Sequence, residues 1–425
     1  MRKASLWQRL FSLERAVVED VEFDPARAVV VVHARPVARA RRRCGLCGAR
    51  CPRYDLGAGR RRWRALDLGT VQAFIEADAP RVSCARHGVV VAEVPWARHG
   101  GGHTRAFDDT VAWLVCHTSK SAVRQLLRIA WPTVGAIITR VSADIDARVD
   151  RLAGLRRIGI DEISFRRGQN YLTAVVDHDT RRLVWLGEGR TKATLEAFFD
   201  QLGHERATRI TEVTADAAHY IAAVVADRAP QAVRCADPFH VVAWATHELD
   251  LVRRRIWKTA RNAPGGRARP REGRSQESAG DARALQRSRY ALWKNPEDLT
   301  GRQQAKLAWI AAAAPELHRA YLLKEGLRSV FAVGGTEGID GVNRWLAWAQ
   351  RCRIPEFVRL GRKVRRQLAP ICASLHLGLS NAVLEATNTK IRLFTRIAFG
   401  FRMPGSLMAL AMLALGGHRP DLPGR

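Results

Sequence analysis

The stretch Arg157-Ile158-Gly159-Ile160-Asp161-Glu162-Ile163-Ser164-Phe165 determines how the middle of this chain is expected to fold. Apolar residues surround a carboxylate in a short run, which is typical of a buried strand with Asp161 at its centre. Burying a carboxylate costs several kcal/mol unless a metal ion or hydrogen-bond donors compensate. Asp161 is therefore a candidate metal ligand, and the alternative is a surface Asp on an ordinary strand.

The residues after this stretch predict a mixed α/β sheet. Two strands are expected at Tyr171–Val176 and Arg182–Leu186, followed by a helix at Thr194–Leu202 and a strand at Ile210–Thr214. Asp216 lies just beyond this last strand. The order β-β-β-α-β, with acids on the first and fourth strands, resembles a ribonuclease H-like fold, in which such acids hold two metal ions.

A fifth strand provides a second candidate for the acid that pairs with Asp161. It covers Ala232–Asp237, and the following residues through His240 open another helix. We prefer Asp216 to Asp237, because Asp216 ends the longer β-run beside the Asp161 strand. Asp237 and His240 would instead orient the site or fix the start of the helix.

The composition favours a nucleic-acid partner. The 425 residues are 47% hydrophobic, which is enough for several domains with buried cores. The formal net charge is +29, and a surface this basic attracts polyanions, of which nucleic acid is the commonest in a cell. No apolar run reaches the ~18 residues of a membrane span, and the N-terminus lacks the pattern of a signal peptide. We expect a soluble, cytoplasmic, nucleoid-associated protein without a membrane partner.

Two short Cys/His pairs predict a structural Zn²⁺ site near the N-terminus. The eight Cys of a cytoplasmic chain are better explained as metal ligands or buried thiols than as disulfides. Structural zinc prefers a closed tetrahedral set of thiolate and imidazole ligands, which two such pairs supply. Cys51 is an alternative to His87, and strands at Trp63–Leu68 and Val71–Ala77 would complete a small zinc-ribbon-like β-sheet. The expected ligands are Cys44, Cys47, Cys84 and His87.

Three short helices are predicted after the zinc module. They cover residues 105–116, Ser121–Arg128 and a segment that starts at Pro132, where proline suits a first helical turn. Tight turns between them are consistent with a helix-turn-helix, and a plain helical bundle is the alternative. The basic charge and the preceding zinc module favour DNA binding. The basic residues expected to reach DNA are Lys120, Arg124, Arg128 and Arg140.

The chain changes character after Leu251. Residues 253–275 are rich in Arg, Gly and Pro, so we expect a mobile loop that attracts polyanions. An all-helical segment follows, which we interpret as an insertion into the catalytic domain, with a separate helical domain as the alternative. Its predicted helices cover Asp281–Trp293, Leu299–Ala314, Pro315–Leu327 and Thr336–Cys352.

The segment Leu379–Arg392 offers a third acid. On a helix, Asn381, Glu385 and Asn388 share one face by their i, i+4 and i+7 spacing. A lone Glu on a helix is usually a solvated side chain. A Glu between two Asn residues, followed by Lys390, is better suited to a metal site next to a phosphate backbone.

These motifs together resemble the ISL3 family of insertion-sequence transposases, and the resemblance covers nearly the whole chain. The string Ser380-Asn381-x-x-x-Glu385-x-x-Asn388-x-Lys390 is its most specific part. Pro238 and Ala386 depart from the family pattern, but neither occupies a ligand position. The other matching segments, besides the paired zinc ligands and the helix-turn-helix, are Val94–Ala97, Gly159–Glu162, Asp237–Val242, Trp293–Thr300 and Ala398–Arg402.

The resemblance implies a DDE transposase that binds the ends of its insertion sequence and catalyses metal-dependent DNA cleavage and strand transfer. It assigns the family's acids to Asp161, Asp216 and Glu385, with Mg²⁺ or Mn²⁺ as the bound ions. The expected partner is double-stranded DNA, as terminal inverted repeats and as target, and synapsis of two ends implies a homo-oligomer. The rival interpretations are a DNA-binding regulator with an inactive catalytic body and a ribonuclease H-like nuclease that cleaves without joining.

The expected architecture is a multidomain α+β protein. We predict a zinc-ribbon-like domain at residues 1–100 and a helix-turn-helix domain at residues 101–152. The ribonuclease H-like α/β catalytic domain would comprise residues 153–250 and 371–425, the latter with the helix that carries Glu385. The basic loop and all-helical insertion at residues 251–370 would interrupt it.

Overall fold

The computed structural model describes residues 3–166, 168, 170–216, 218–262, 276–398, 401 and 403–424. The chain divides into two compact units. The first comprises Met1–Arg151 and Lys390–Arg425, and the second comprises Leu152–Thr389. Among the described helices, no single one is long and apolar enough to cross a membrane, and only the bent pair Leu368–Leu377 and Ala382–Ile397 meets that length and composition together.

Two small sheets form the N-terminal part of the first unit, preceded by the helix α1 (Lys3–Leu10). Their strands are β1 (Ala16–Asp24), β2 (Val29–Pro36), β3 (Arg53–Asp55), β4 (Arg60–Arg64), β5 (Gln72–Asp78), β6 (Arg81–Cys84) and β7 (Gly88–Val91). One sheet has the order β1-β2-β5-β4, in which β2 and β5 are parallel and the other pairs antiparallel. The other is antiparallel with the order β3-β6-β7.

Of the two strands predicted for the zinc ribbon, Val71–Ala77 matches β5, but only the first two residues of Trp63–Leu68 belong to β4. Both observed strands belong to a different sheet from Cys84. β4 and β5 pair with each other in the four-stranded sheet, whereas Cys84 ends β6 in the three-stranded one. Trp63 and Ile75, which lie opposite each other, are buried in a core with Val32 and Trp96. An alternating apolar pattern identifies a strand and its buried face but not its partner strand, so the sequence did not separate the two sheets.

The predicted three-helix segment is confirmed, and a fourth helix packs against it. The helices are α2 (Arg105–Val115), α3 (Lys120–Leu127), α4 (Trp131–Asp146) and, from the C-terminal segment, α17 (Pro404–Leu415). The side chains of Thr104 and Ser119 accept backbone N–H groups in the first turns of α2 and α3, which satisfies donors that a helix start leaves unpaired. Their shared core consists of apolar side chains that include Phe107, Val111, Val123, Ile137, Ile138, Val141, Leu410 and Leu413.

The second unit is built on a five-stranded sheet. Its strands within the described residues are β8 (Arg157–Arg166), β9 (Asn170–Asp177), β10 (Arg182–Glu188), β11 (Glu212–Ala215) and β12 (Val233–Ala236). The order is β10-β9-β8-β11-β12. The first three strands in sequence are antiparallel neighbours, and β11 and β12 run parallel to β8. The five strands predicted from Arg157 onward are therefore confirmed in their order along the chain; their order in the sheet was not predicted.

Alternation along β8 separates an apolar face from the face that carries Asp161. Ile158 and Ile160 are buried in a core that also contains Phe198 and Val224. These last two residues lie on α5 (Lys192–Leu202) and α7 (His219–Arg228), and the short α6 (His204–Ala207) connects to β11. Because successive side chains of a strand point to opposite faces, Gly159 and Asp161 lie on the other side of the sheet.

Helices make up the rest of the second unit. They are α8 (Pro238–Asn262), α9 (Gln276–Gln286), α10 (Arg289–Trp293), α11 (Gly301–Ala313), α12 (Pro315–Val333), α13 (Gly335–Arg351), α14 (Pro355–Arg366), α15 (Leu368–Leu377) and α16 (Ala382–Ile397), whose residues from Lys390 onward belong to the first unit. Leu249, Leu317, Leu327 and Phe357 are among the residues of their common core.

Two predictions for this helical region are wrong in part. The loop expected at residues 253–275 does not begin at Arg253, because α8 continues to Asn262, and residues 263–275 lie outside the described part of the chain. Arg253 is 7% exposed and donates to Oδ1 of Asp250 at 2.9 Å, so a basic residue here supports a helix. The single helix expected at Asp281–Trp293 is two helices, α9 and α10.

Candidate active site and metal-binding groups

Three acids lie side by side on neighbouring parallel strands, one of them within β8 and the others just after β11 and β12. β11 pairs with β8 so that Ala215 is opposite Ile160, and it pairs with β12 so that Ala215 is opposite Ala236. The next residue on each of these strands is an acid. The register therefore aligns Asp161, Asp216 and Asp237.

Asp161 is partly buried and accepts two hydrogen bonds. Its Oδ1 accepts the backbone N–H of Glu162 at 2.7 Å, and its Oδ2 accepts Nδ2–H of Asn388 at 2.6 Å. Burial raises the pKa of the Asp161 carboxyl, Asp216 adds to the increase, and the Glu162 N–H, His240 and Asn388 oppose it. Desolvation and a neighbouring carboxylate both penalise the charged form, so a bound cation would stabilise it.

Helix α16 lies directly over β8 because residue 159 has no side chain. A Cβ at Gly159 would lie 2.7 Å from Cδ1 of Leu384. One helical turn later, Asn388 reaches Asp161, which is two residues further along the strand. The helix therefore follows the strand face that carries Asp161.

The face of α16 predicted to hold the third acid has two buried amides with unused hydrogen-bonding capacity. Asn381 is 1% exposed and Asn388 is 3% exposed. Within the described residues, Nδ2 and Oδ1 of Asn381 and Oδ1 of Asn388 have no hydrogen-bond partner. Leaving such an atom unpaired costs about 1–3 kcal/mol, which indicates a site for water or a ligand. Glu385 lies between the two amides in sequence and is exposed, as is Lys390.

Asp237 holds the imidazole of His240 toward Asp216. Oδ1 of Asp237 accepts the Phe239 N–H at 3.2 Å, and Oδ2 accepts Nδ1–H of His240 at 2.6 Å. The other ring nitrogen, Nε2, lies 3.5 Å from Oδ2 of Asp216. The hydrogen bond to Asp237 is the main cause that raises the pKa of His240 to about 8, and the charges of Asp216 and Asp161 contribute.

The two candidates for the second acid differ in what they can bind. The Asp237 side chain is 2% exposed, and both of its oxygens accept hydrogen bonds. The Asp216 side chain is 39% exposed. Asp216 can therefore accept an incoming ligand, whereas Asp237 already serves its own helix start and His240.

The three predicted catalytic acids all belong to the second unit but do not converge tightly. Across the part of the chain that the structure describes, Asp161, Asp216 and Glu385 do not form a group whose oxygen atoms all lie within 4.8 Å of one another. Three carboxylates at one point repel each other, so a closer approach requires a cation between them.

The contacts of two residues that pack against β8 were missed by the sequence analysis. Gly159 allows the close approach of α16, and a glycine inside a strand is a signal that could have indicated such an approach. Tyr220 donates its O–H to Oε1 of Glu162 at 2.5 Å, on the opposite face of β8 from Asp161. No motif distinguished Tyr220, because this contact depends on how α7 packs on the sheet.

The four predicted zinc ligands converge in the first unit. The ligand atoms of Cys44, Cys47, Cys84 and His87 all lie within 4.8 Å of one another. Sγ of Cys47 is 3.8 Å from Sγ of Cys84, and Nδ1 of His87 is 3.6 Å from Sγ of both Cys44 and Cys84. A tetrahedral zinc ion with Zn–S bonds of about 2.3 Å separates two sulfurs by about 3.8 Å, so this donor set fits structural zinc.

The pKa of the Cys84 thiol is consistent with zinc binding by this donor set. Backbone N–H groups of Arg86 and His87 lower the pKa of the Cys84 thiol to about 6, which favours the thiolate that binds metals. Cys51 is buried nearby, but its Sγ contacts the carbonyl of Ala49 at 3.4 Å and it is not one of the four converging groups. The geometry therefore favours His87 over Cys51 as the fourth ligand.

The three arginines predicted to contact DNA differ in the hydrogen bonds and ion pairs that they already make within the protein. Arg124 on α3 is exposed, and its guanidinium has no hydrogen-bond or ion-pair partner among the described residues. Arg128 is exposed and forms an ion pair with Asp67. Arg140 donates to both oxygens of the buried Asp108, at 3.1 and 3.3 Å. Of the three, Arg124 is the most accessible to a phosphate.

Lys120 lies in the helical core of the first unit rather than on its surface. It is 6% exposed, and its Nζ lies 4.9 Å from the centre of the Trp131 ring and 5.3 Å from that of Phe401. Burial lowers the pKa of Lys120. The two aromatic faces partly offset this penalty for the ammonium group, and the position of Lys120 supports the packing of α3 on α4.

Comparison with known families gives one consistent result for three parts of the chain. Residues 158–411 match a family described as "Transposase". Residues 92–142 match the "Helix-turn-helix domain of transposase family ISL3", and residues 40–87 match the "zinc-finger of transposase IS204/IS1001/IS1096/IS1165". These three matches cover the sheet with its acids, the helices α2 to α4 and the Cys/His group.

Three curated relatives match over most of their length. The chain is 58% identical, over 443 aligned residues, to the transposase for insertion sequence element IS1557 of Mycobacterium tuberculosis strains CDC 1551 / Oshkosh and ATCC 25618 / H37Rv, with 100% of this chain and 98% of the relative covered. It is 26% identical over 391 residues to the transposase for insertion sequence element IS1001 of Bordetella parapertussis, with 91% of each chain covered.

The fold, the Cys/His group and these matches define a DNA transposase of the DDE type, with a helix-turn-helix domain that binds DNA. The chain belongs to the ISL3 family of insertion-sequence transposases. A structural zinc ion and a divalent catalytic metal accord with the zinc-finger match and with the DDE class.

Proposed function

We propose that Asp161, Asp216 and Glu385 form one two-metal site that cuts the ends of the insertion sequence and joins them to target DNA. The observation that carries this proposal is the register of β8 and β11, which aligns Asp216 with Asp161 beneath a helix that also bears Glu385. The sheet order β10-β9-β8-β11-β12, with three antiparallel strands followed by two parallel ones, supports a ribonuclease H-like catalytic domain with helices inserted after β12.

The donor groups suit Mg²⁺ or Mn²⁺. Asp161 and Asp216 offer carboxylate oxygens, and Asn381 offers a buried amide oxygen without a partner among the described residues. Oxygen ligands of this kind are those that hard divalent cations prefer. Two such ions would supply charge stabilisation for the attacking and leaving oxygens of phosphoryl transfer.

The neighbouring polar residues position these acids. Asn388 donates to Oδ2 of Asp161 and so fixes the side chain that would face the ions. Asp237 orients the His240 ring, whose Nε2 then holds the carboxylate of Asp216. We therefore assign the second catalytic acid to Asp216 and a positioning role to Asp237. Lys390, exposed on α16, is proposed to bind a DNA phosphate.

DNA-end recognition is assigned to the N-terminal part of the chain. The helix-turn-helix, with Arg124 exposed on α3, would bind the terminal inverted repeats, and zinc would hold the turns around Cys44 and Cys84 in place. Since joining requires two ends to be held together with target DNA, the active form is proposed to be a homo-oligomer on DNA. The working compartment is proposed to be the bacterial cytoplasm, at the nucleoid.

The proposal is tested by incubating purified protein with labelled duplexes of the element's ends, target plasmid and Mg²⁺. Cleaved ends and strand-transfer products are expected, and chelation should abolish both without releasing the bound ends. Cleavage without joined products would favour the nuclease interpretation. Specific end binding with neither product would favour a DNA-binding regulator.

A further inference from the structure

A basic helix of the insertion lies antiparallel to α8 and reaches the candidate active site. Nζ of Lys363 on α14 lies 3.7 Å from the centre of the Trp244 ring on α8. Arg359, one turn before Lys363 on α14, donates to Oε2 of Glu248 at 3.3 Å. Glu248 lies one turn after Trp244 on α8. Successive turns of α14 therefore pack against turns of α8 that lie progressively closer to its start, where His240 is located.

The residues that follow Lys363 line the same cavity as the candidate active-site groups. Trp244 is one helical turn after His240, and both border this cavity together with Asp237. Gln367, one turn after Lys363, lines it too. Lys363, on the Trp244 ring and one turn before Gln367, therefore lies beside the cavity that Asp237 and His240 border.

The ammonium group of Lys363 interacts electrostatically with Asp216. Partial burial lowers the pKa of Lys363, the charges of Asp216 and Glu248 oppose this decrease, and Arg366 adds to it. The nearest groups thus combine one aromatic face, two acids and one further cation. A flexible lysine packed on an aromatic face in this way, within electrostatic range of Asp216, is placed to meet an anion that arrives beside that acid.

We propose that Lys363 binds a non-bridging oxygen of the phosphate at which the DNA strand is cut, and holds that phosphate against the catalytic acids. The inference rests on the proposed catalytic role of Asp216. An Asp216 carboxylate that ligates a metal ion has less charge left for Lys363, and the incoming phosphate supplies a replacement anion beside the same cavity. Lysine commonly binds phosphate in this manner, as a point charge.

The neighbouring basic residues extend the same surface along the strand. Arg362 and Arg366 are exposed on α14 and lie four residues, about one helical turn, apart. Arg365 is also exposed but is rotated by about 200° around the helix from Lys363, on the side away from Trp244. Arg365 is therefore a matched control, because its loss removes one positive charge from the same helix without touching the cavity.

The first test compares Lys363→Met, which keeps the length of the side chain on Trp244, with Lys363→Arg and Arg365→Ala. Single-turnover cleavage is measured on pre-bound labelled ends in Mg²⁺, together with end affinity and thermal unfolding. Lys363→Met should cleave about 10–100-fold more slowly, as expected for lost positioning of a reacting group, while end affinity and unfolding stay unchanged. Lys363→Arg should retain most of the activity, and Arg365→Ala should match the parent.

The second test locates the contact. Methylphosphonates are introduced one at a time at the cleaved phosphate and at its two neighbours, which removes one negative charge at each position. At the contacted phosphate the methylphosphonate should slow the parent protein but not slow Lys363→Met further, so the two changes should be non-additive. Coupling at a neighbouring phosphate only, or strict additivity at all three, would overturn the assignment.

The outcomes also separate this inference from the catalytic assignment. An active Asp216→Asn variant would refute the proposed acid and with it the basis for Lys363. An inactive Asp216→Asn beside a Lys363→Met that cleaves at the parent rate, or that loses no more than Arg365→Ala, would refute only the role of Lys363.

Discussion

Adding one methyl group at Gly159 should displace the helix that carries Glu385. In Gly159→Ala the new Cβ would lie 2.7 Å from Cδ1 of Leu384, 2.9 Å from Nε2 of His178 and 3.1 Å from Oγ1 of Thr214. His178 and Thr214 are hydrogen-bonded to each other at 2.7 Å, so neither can retreat without losing that bond. Leu384 is 0% exposed and must move by at least 0.7 Å to reach ordinary contact at 3.4 Å.

The size of the effect follows from this geometry. Overpacking a buried site costs about 1–3 kcal/mol, and for a unit of this size each kcal/mol lowers the unfolding midpoint by about 2–4 °C. A displacement approaching 1 Å at reacting groups costs up to ~100-fold in rate. We therefore expect Gly159→Ala to fold with a lowered midpoint and to cleave DNA ends about 10–100-fold more slowly, with end binding unchanged.

The assay is single-turnover cleavage of pre-bound ends, with thermal unfolding measured in parallel. Gly301→Ala is the matched control, because a Cβ at Gly301, the first residue of α11, meets nothing within 4 Å. Leu384→Ala combined with Gly159→Ala should be less harmful than the sum of the two single changes, since truncating Leu384 makes room for the new methyl group. A parent-like cleavage rate for Gly159→Ala, or strict additivity in the pair, would refute the proposed seating of α16.

Three further outcomes are expected. Asp161→Asn, Asp216→Asn and Glu385→Gln should each abolish cleavage and joining but not end binding, and their losses should not add, because the carboxylates of a two-metal site act as a unit. Asp237→Asn should only slow both steps by about 10–100-fold. An inactive Asp237→Asn beside an active Asp216→Asn would reverse the two roles. Cys84→Ser should lose zinc in elemental analysis and weaken end binding, whereas full zinc occupancy would exclude Cys84 as a ligand. Burial lowers the pKa of His103, which stacks on Phe107, to about 4. Below about pH 6.5 the folded chain therefore binds fewer protons at this residue than the unfolded chain, so the free energy of unfolding should decrease as the pH falls toward about 4. His103→Phe should flatten this pH dependence in thermal unfolding. If the stability of His103→Phe fell with pH as steeply as that of the parent, the role of His103 would be refuted.

The parts of the fold that depend on local pattern were predictable from the sequence. The strand at Arg157–Arg166 and the order of the strands after it follow from short apolar runs bounded by turn residues. The paired spacing of Cys44 with Cys47, and of Cys84 with His87, was enough to identify groups that converge in space. In each case a residue's nearest partners lie a few positions away or follow from an established chemical preference.

The predictions that were wrong depended on contacts between distant parts of the chain. The strand that contains Trp63 was predicted a few residues too late, and its membership of a sheet with β1 and β2 depends on the core around Val32. Arg253 continues a helix because Nη1 also donates to the carbonyls of Leu285 and Gln286, more than thirty residues later. Composition alone had indicated a loop, since it takes no account of such partners.

Residue type and position also left the roles of the acids undecided, and the structure supplies the missing argument. Asp216 and Asp237 each follow a short parallel strand, so the sequence left Asp237 open as an alternative to the preferred Asp216. Both oxygens of Asp237 accept hydrogen bonds, at the start of α8 and from His240, and its side chain is 2% exposed against 39% for Asp216. Asp216, between Asp161 and Asp237 in the register, receives Nε2 of the ring that Asp237 orients. We therefore propose that a D-x-x-H motif placed one strand beyond the second acid holds that acid, and we expect Asp237 to tolerate loss of its charge better than Asp216 does.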